Sequence, residues 1–181
     1  RILYHHTAYD IQVDQPVRQP RSRLIKENSF KAALGVARKQ PDCSAIVVIL
    51  DADDDCPAEL GPQLRQWGQE SLGDFPLSVV TAKREYEAWL IASAEALRDK
   101  GRIEPQMTLP EDVETIRDAK GWLSDHMPGN LKYSETSDQA AFTALMDFKL
   151  SHQRSDSFRK LWKDLANLVL GFKGSIVELE T

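Results

Sequence analysis

Six apolar residues, Ala45 to Leu50, run directly into four aspartates within five positions in the stretch AIVVILDADDDC. The run is short, β-branched and apolar at every position, so both of its faces are expected to be covered. That pattern predicts a strand in the middle of a mostly parallel sheet. Such a strand delivers Asp51, Asp53, Asp54 and Asp55 to the carboxyl edge, where ligands of open α/β sheets collect.

The segments around it agree. FKAALGVARKQ, with Asn28 or Ser29 as N-cap, sets Phe30, Leu34 and Ala37 at helical spacing and stops before Pro41. After the acidic exit, PAELGPQLRQWGQES predicts a helix with Leu60, Leu64 and Trp67 inward and irregular first turns at Gly61 and Pro62. PLSVVTA reads as a second strand, and REYEAWLIASAEALRD as the cleanest helix, with Tyr86, Trp89, Leu90, Ala94 and Leu97 on one stripe. Strand, helix, strand, helix implies right-handed crossovers and a parallel sheet flanked by helices.

Upstream, DIQVDQPVR predicts an edge or short strand that leads into the basic loop RQPRSRLIK. Beyond Gly101 the pattern is helical through EDVETIRDAKGWLSDHM, DQAAFTALMDF and SDSFRKLWKDLANLVLGF, and GSIVELET closes as a short strand or tail. We therefore read residues 1–100 as an α/β core and 101–181 as a helical annex packed on it.

At 181 residues, with 41% hydrophobic and 28% charged residues, the composition is that of a soluble globular chain. No apolar run approaches the roughly 18 residues of a membrane span, and two cysteines provide no disulfide framework, so a cytoplasmic protein is expected. Charge is segregated: residues 1–40 hold eight Lys/Arg against three Asp/Glu, and residues 41–74 hold eight acids against one arginine. An acidic pole beside a basic approach suits a metal site acting on a phosphate polyanion, although solvated surface gives the same pattern.

If the backbone stays extended through Ala52, Asp51 and Asp53 point to one side and can share a hard cation that relieves their repulsion. Asp54 and Asp55 precede a helix and are accounted for by capping and the helix dipole. Glu85 and Glu87 open the helix after the second strand and reach the same sheet edge if the strands are neighbours, while Lys83 and Arg84 can hold a phosphate. An EF-hand is excluded because its sixth and twelfth positions would be Cys56 and Pro62, and no glycine-rich phosphate loop or GxSxG elbow occurs. His5 and His6 are adjacent, His126 ends a helix and His152 sits in a polar turn, so none has ligand spacing. Trp89, Trp122 and Trp162 fall on apolar stripes and are expected in the core.

The stretches VVILDADDDCPAELGPQL, VVTAKREYEAWLIA, KYSETSDQ and RSDSFRKLW together resemble an uncharacterised bacterial Toprim-like family, domain-of-unknown-function family 4276, related to the overcoming-lysogenization-defect nucleases. The resemblance runs from about Val17 to Leu168. It implies a Toprim sheet whose acids bind Mg2+ or Mn2+ for phosphodiester cleavage of DNA or RNA, with Asp51 and Asp53 as the DxD pair and Glu85 and Glu87 as the following acids. It further implies that Arg21 and Arg23 form a basic segment and that an ATPase partner acts with the protein in phage defence. The family pattern begins with a strand and a glutamate-bearing turn that have no counterpart here, so the chain is read as missing that strand, either as a fragment or as a protein that binds without cutting. The alternatives are a catalytically incomplete module that binds nucleic acid or an ATPase, and a DxD nucleotide-dependent transferase. The annex offers a surface for self-association or for docking a partner.

Overall fold

The computed structural model describes residues 2–3 and 11–171, so His5, His6 and the GSIVELET segment lie outside the described residues. Among those described, the sheet has two strands, β1 (Ile46–Asp51) and β2 (Leu77–Ala82). The Ile46 N–H donates to the Pro76 carbonyl and the Ala52 N–H to the Ala82 carbonyl, each at 2.9 Å. The same sequence offset at both ends of the ladder makes the pair parallel. The expected α/β architecture with a parallel sheet flanked by helices is therefore observed.

The described residues group into two compact units. The first comprises those within 1–50, 55–81 and 160–181, and holds α1 (Arg21–Leu24), α2 (Glu27–Arg38), α3 (Pro57–Leu72) and most of both strands. Its core is Phe30, Leu34, Ile46, Leu50, Leu60, Leu64 and Val79, drawn from α2, α3 and alternate strand positions. β2 is covered on both sides, because the Ser78 hydroxyl donates to Asp164 at 2.7 Å and Lys160 donates to the Val79 carbonyl at 3.0 Å, both from the last helix.

β1 departs from the expectation of two covered faces. Ile46 and Leu50 point into the core, whereas Val47 and Ile49 are 39% and 44% exposed. The strand alternates in burial although its sequence does not alternate in polarity. Two other expectations are corrected nearby. Residues 11–20 form no regular strand, and the basic loop contains the helical turn α1. Helix α2 starts at Glu27 rather than after Asn28 or Ser29, since the Phe30 N–H already bonds the Lys26 carbonyl at 2.9 Å. In α3, Leu60 and Leu64 are buried as expected, and the helix runs without interruption through Pro62.

The second unit comprises residues 51–54 and 82–159. It contains α4 (Glu87–Ile91), α5 (Ala94–Arg98), a single 3-10 turn at Val113–Thr115, α6 (Ala119–His126), α7 (Gln139–Leu145) and α8 (Phe148–Arg154). The last helix, α9 (Asp156–Gly171), starts here and continues in the first unit. The single helix expected over REYEAWLIASAEALRD is broken at Ser93. Two carbonyls that a continuous helix would use internally are taken by side chains: Ser151 donates to the Trp89 carbonyl and Arg154 to the Ala92 carbonyl, each at 3.0 Å. Every residue of α4 is buried, so the expected one-sided stripe is a buried rod.

The helix expected over EDVETIRDAKGWLSDHM reduces to the 3-10 turn and α6. Asp112 accepts the Glu114 N–H at 2.9 Å and Asp118 the Gly121 N–H at 2.7 Å, so acidic side chains take amides that a longer helix would bond internally. His152 lies within α8 rather than in a turn. Trp89 and Trp162 are buried as expected, and Trp122 is half-buried and stacked on His126.

The split burial of β1 and the core position of α3 give a direct comparison. Leu64→Ala should lower the unfolding free energy by about 2–5 kcal/mol. Ile49→Ala should cost under about 1 kcal/mol in the same urea titration.

Candidate functional site

Asp51 closes β1 and is the first residue of the second unit. Its Oδ1 accepts the Tyr86 N–H at 2.8 Å, which ties the end of β1 to the residue before α4. Burial pushes the Asp51 carboxyl up to about 6; the Tyr86 amide works against that shift, and the Glu87 and Asp53 charges add to it. The extended run ends there, because Asp53 adopts φ 49° and Arg84 φ 63°, both in the left-handed region. The Asp53 N–H donates to the Arg84 carbonyl at 2.9 Å, so the two unusual conformations hold one another. The condition for Asp51 and Asp53 to share a side by strand alternation is therefore not met. The two still interact electrostatically, and Asp53 faces an open cleft.

Glu87 is the most unusual residue of the unit. It is fully buried at the first position of α4. Its Oε1 accepts the Tyr133 hydroxyl at 2.9 Å and the Gln139 amide at 3.2 Å. Its Oε2 is equally buried and has no hydrogen-bond partner among the described residues; Lys120 Nζ stands 3.9 Å away, too far to donate. Burial, followed by the charge of Glu87, pushes the Tyr133 hydroxyl well above its ordinary value, so it is a committed donor.

Lys120 sits among three carboxylates, 2.6 Å from Glu135, 3.4 Å from Glu85 and 3.9 Å from Glu87. Partial burial opposes its charge, but the Glu135 hydrogen bond and the Glu87 and Glu85 carboxylates hold its pKa above the usual lysine value. Glu85 also accepts the Ala119 N–H at 3.3 Å. A cleft of about 340 Å3 lies alongside, lined by Asp53, Asp54, Arg84, Glu85 and Arg117.

The cations expected to meet phosphates have different fates. Arg84 lines the cleft. Lys83 is paired with Asp112 at 3.6 Å and Glu114 at 4.0 Å. Arg21 belongs to the first unit and forms an ion pair with Asp55, which answers the charge of that aspartate from α1, and Arg23 is exposed on the same short helix.

Five site residues carried no assignment in the sequence: Arg117, Lys120, Tyr133, Glu135 and Gln139. Three of them come from KYSETSDQ, one of the stretches that drew the resemblance, and they converge on Glu87 and Lys120. The companion stretch RSDSFRKLW has a packing role. Ser155 and Ser157 hydroxyls donate to the buried Glu114 at 2.6 and 2.5 Å, and Arg154 forks onto Glu95 at 2.6 and 2.7 Å.

The family described as Domain of unknown function (DUF4276) matches residues 1–166. The chain belongs to this family. No curated protein and no solved structure matches it. Among the described residues no helix of this DUF4276 member is long and apolar enough to cross a membrane.

The chemistry of the donors fits a hard divalent cation, since all are carboxylate oxygens and one is buried without a donor. The described residues contain no group of three or more His, Cys, Asp or Glu side chains arranged to hold a metal. Mg2+ does not require one, because it is commonly held by one or two carboxylates, waters and substrate phosphates.

The raised Asp51 value fixes a pH dependence. The folded protein binds this proton more tightly than the unfolded chain, so stability falls as pH rises from about 4, the ordinary aspartate value, to about 6. In chelator, Asp51→Asn should stabilise the protein by up to roughly 3 kcal/mol at pH 8. The gain should vanish below pH about 4, as read by urea unfolding across the range.

Proposed function

We propose that this protein is a metal-dependent phosphodiester hydrolase, a nuclease of Toprim-like type related to the overcoming-lysogenization-defect enzymes. The observation that carries the reading is the buried, donor-less Glu87 Oε2, which interacts electrostatically with Asp51 through its carboxylate. A buried carboxylate oxygen without a partner is costly and calls for a cation.

On this reading Asp51 and Glu87 hold Mg2+ or Mn2+, with Asp53 and Glu85 beside them at the cleft. An ion held there would supply charge neutralisation for the phosphoryl oxygens and a lowered pKa for water. Tyr133 and Gln139 fix the Glu87 carboxylate by occupying Oε1, which leaves the buried Oε2 as the oxygen that would hold the cation. Lys120 balances the acids and stands nearest to Glu135, so its charge would leave the Glu87 Oε2 side to the ion. Arg84 meets a phosphate of the polynucleotide. DNA or RNA is the substrate class, and an ATPase partner in phage defence belongs with the same resemblance.

A second reading, a module that binds nucleic acid or an ATPase without cutting, draws on the lack of a ready-made three-ligand cluster among the described residues. One experiment separates the two. Full-length protein is incubated with plasmid, single-stranded DNA and RNA in Mg2+, Mn2+ or EDTA, beside Glu87→Gln and Tyr133→Phe. The nuclease reading predicts metal-dependent cleavage, reduced roughly 100-fold in Glu87→Gln and about tenfold in Tyr133→Phe. Inactivity with every substrate and metal, with nucleic-acid binding retained, would favour the module.

A further inference from the structure

At the rim of the cleft two guanidinium groups converge on one carboxylate oxygen. Arg84 Nη1 lies 2.8 Å and Arg117 Nη1 3.1 Å from Asp54 Oδ1. The Asp54 and Arg117 side chains are 78% and 74% exposed, so solvent screens these pairs and they add little to stability. The backbone below is nonetheless held in an unfavourable shape, with Arg84 and Asp53 both left-handed and joined by their hydrogen bond. Strained non-glycine residues persist where surroundings enforce them, and they cluster at ligand sites.

The double contact on a single oxygen is also how arginines grip a phosphate oxygen, which accepts several charge-assisted hydrogen bonds. We propose that Arg84 and Arg117 form a seat for a phosphate of the nucleic-acid backbone, and that Asp54 is an internal anion which occupies the seat until a phosphate displaces it. Arg117 and Asp54 thus join the phosphate side of the site, where Asp54 was expected only to cap a helix. The five lining residues, Asp53, Asp54, Arg84, Glu85 and Arg117, are all charged, and among the described residues no aromatic or apolar side chain lines the cleft to stack a base. The seat therefore reads phosphate and not base identity, so recognition at this point is independent of sequence. The proposal rests on the phosphodiester reading above and names how the substrate backbone is held.

The test is anion binding in EDTA, without metal. Inorganic phosphate binding is followed by 31P line broadening, and oligo-dT and oligo-dA binding by fluorescence anisotropy, for the parent, Asp54→Ala, Arg117→Ala and the double variant. Asp54→Ala should tighten phosphate binding about tenfold by removing the competing anion. Arg117→Ala should weaken it, the double variant should lose the gain, and the two oligonucleotides should respond alike. Because the changed side chains are exposed, matching thermal unfolding checks that each variant is folded. Phosphate affinity unchanged or weakened in Asp54→Ala would overturn the seat and leave only surface ion pairs. If the seat behaves as expected but no metal-dependent cleavage is seen, the nuclease reading fails and the phosphate site stands. If cleavage is seen but Asp54→Ala does not tighten phosphate, the seat alone fails.

Discussion

The site depends on a carboxylate taken out of water and only half satisfied. Burying Glu87 removes its hydration, and two donors on Oε1 answer part of that cost. Oε2 keeps its demand for positive charge, and the interaction with Asp51 increases it, since two acids in a poorly solvated place raise one another's need for a cation. Lys120 offers partial relief from 3.9 Å while bonding Glu135 more closely. A side chain at that separation balances charge without coordinating the oxygen, an arrangement that a small divalent ion with hard-oxygen preference would complete.

Much of the frame is legible in the letters. AIVVIL is too short for a helix and ends in acids, so β1 and the position of Asp51 at its carboxyl end follow from the run itself. Leu60 and Leu64 mark the inner face of α3 by spacing, and Phe158, Leu161, Trp162 and Leu165 mark that of α9. What escapes is what distant residues decide. The break at Ser93 is invisible locally, because its cause is Ser151 and Arg154, some sixty positions away, taking carbonyls that helix periodicity assigns to the helix. The exposure of Val47 and Ile49 escapes as well, since β-branched residues read as covered whether or not anything covers them.

The site divides in the same way. Asp51, Glu85 and Glu87 are legible as acids after strands, yet the first turn of a helix also welcomes acids, so spacing alone cannot tell a solvated Glu87 from a buried one. Burial is set by Tyr133 and Gln139, whose place opposite α4 follows from tertiary packing. Asp53 reads as the partner of Asp51 only while the backbone is taken as extended; φ 49° removes that premise and turns attention to Glu87. Arg117 and Lys120 lie in a segment whose pattern reports helix and turn, with no hint of the carboxylates they meet.

These features lie within one unit: the buried Glu87 and half-buried Asp51, and a cleft lined by Asp53, Asp54, Arg84, Glu85 and Arg117. The central claim is that the Glu87 oxygen awaits a divalent ion. Anomalous diffraction from crystals of the full-length protein grown with Mn2+ tests it most directly. The account predicts a peak within bonding distance of Glu87 Oε2, with Lys120 drawn toward Glu135. A lone peak elsewhere on the surface, or Glu87 Oε2 bonded to Lys120 with no ion beside it, would contradict it.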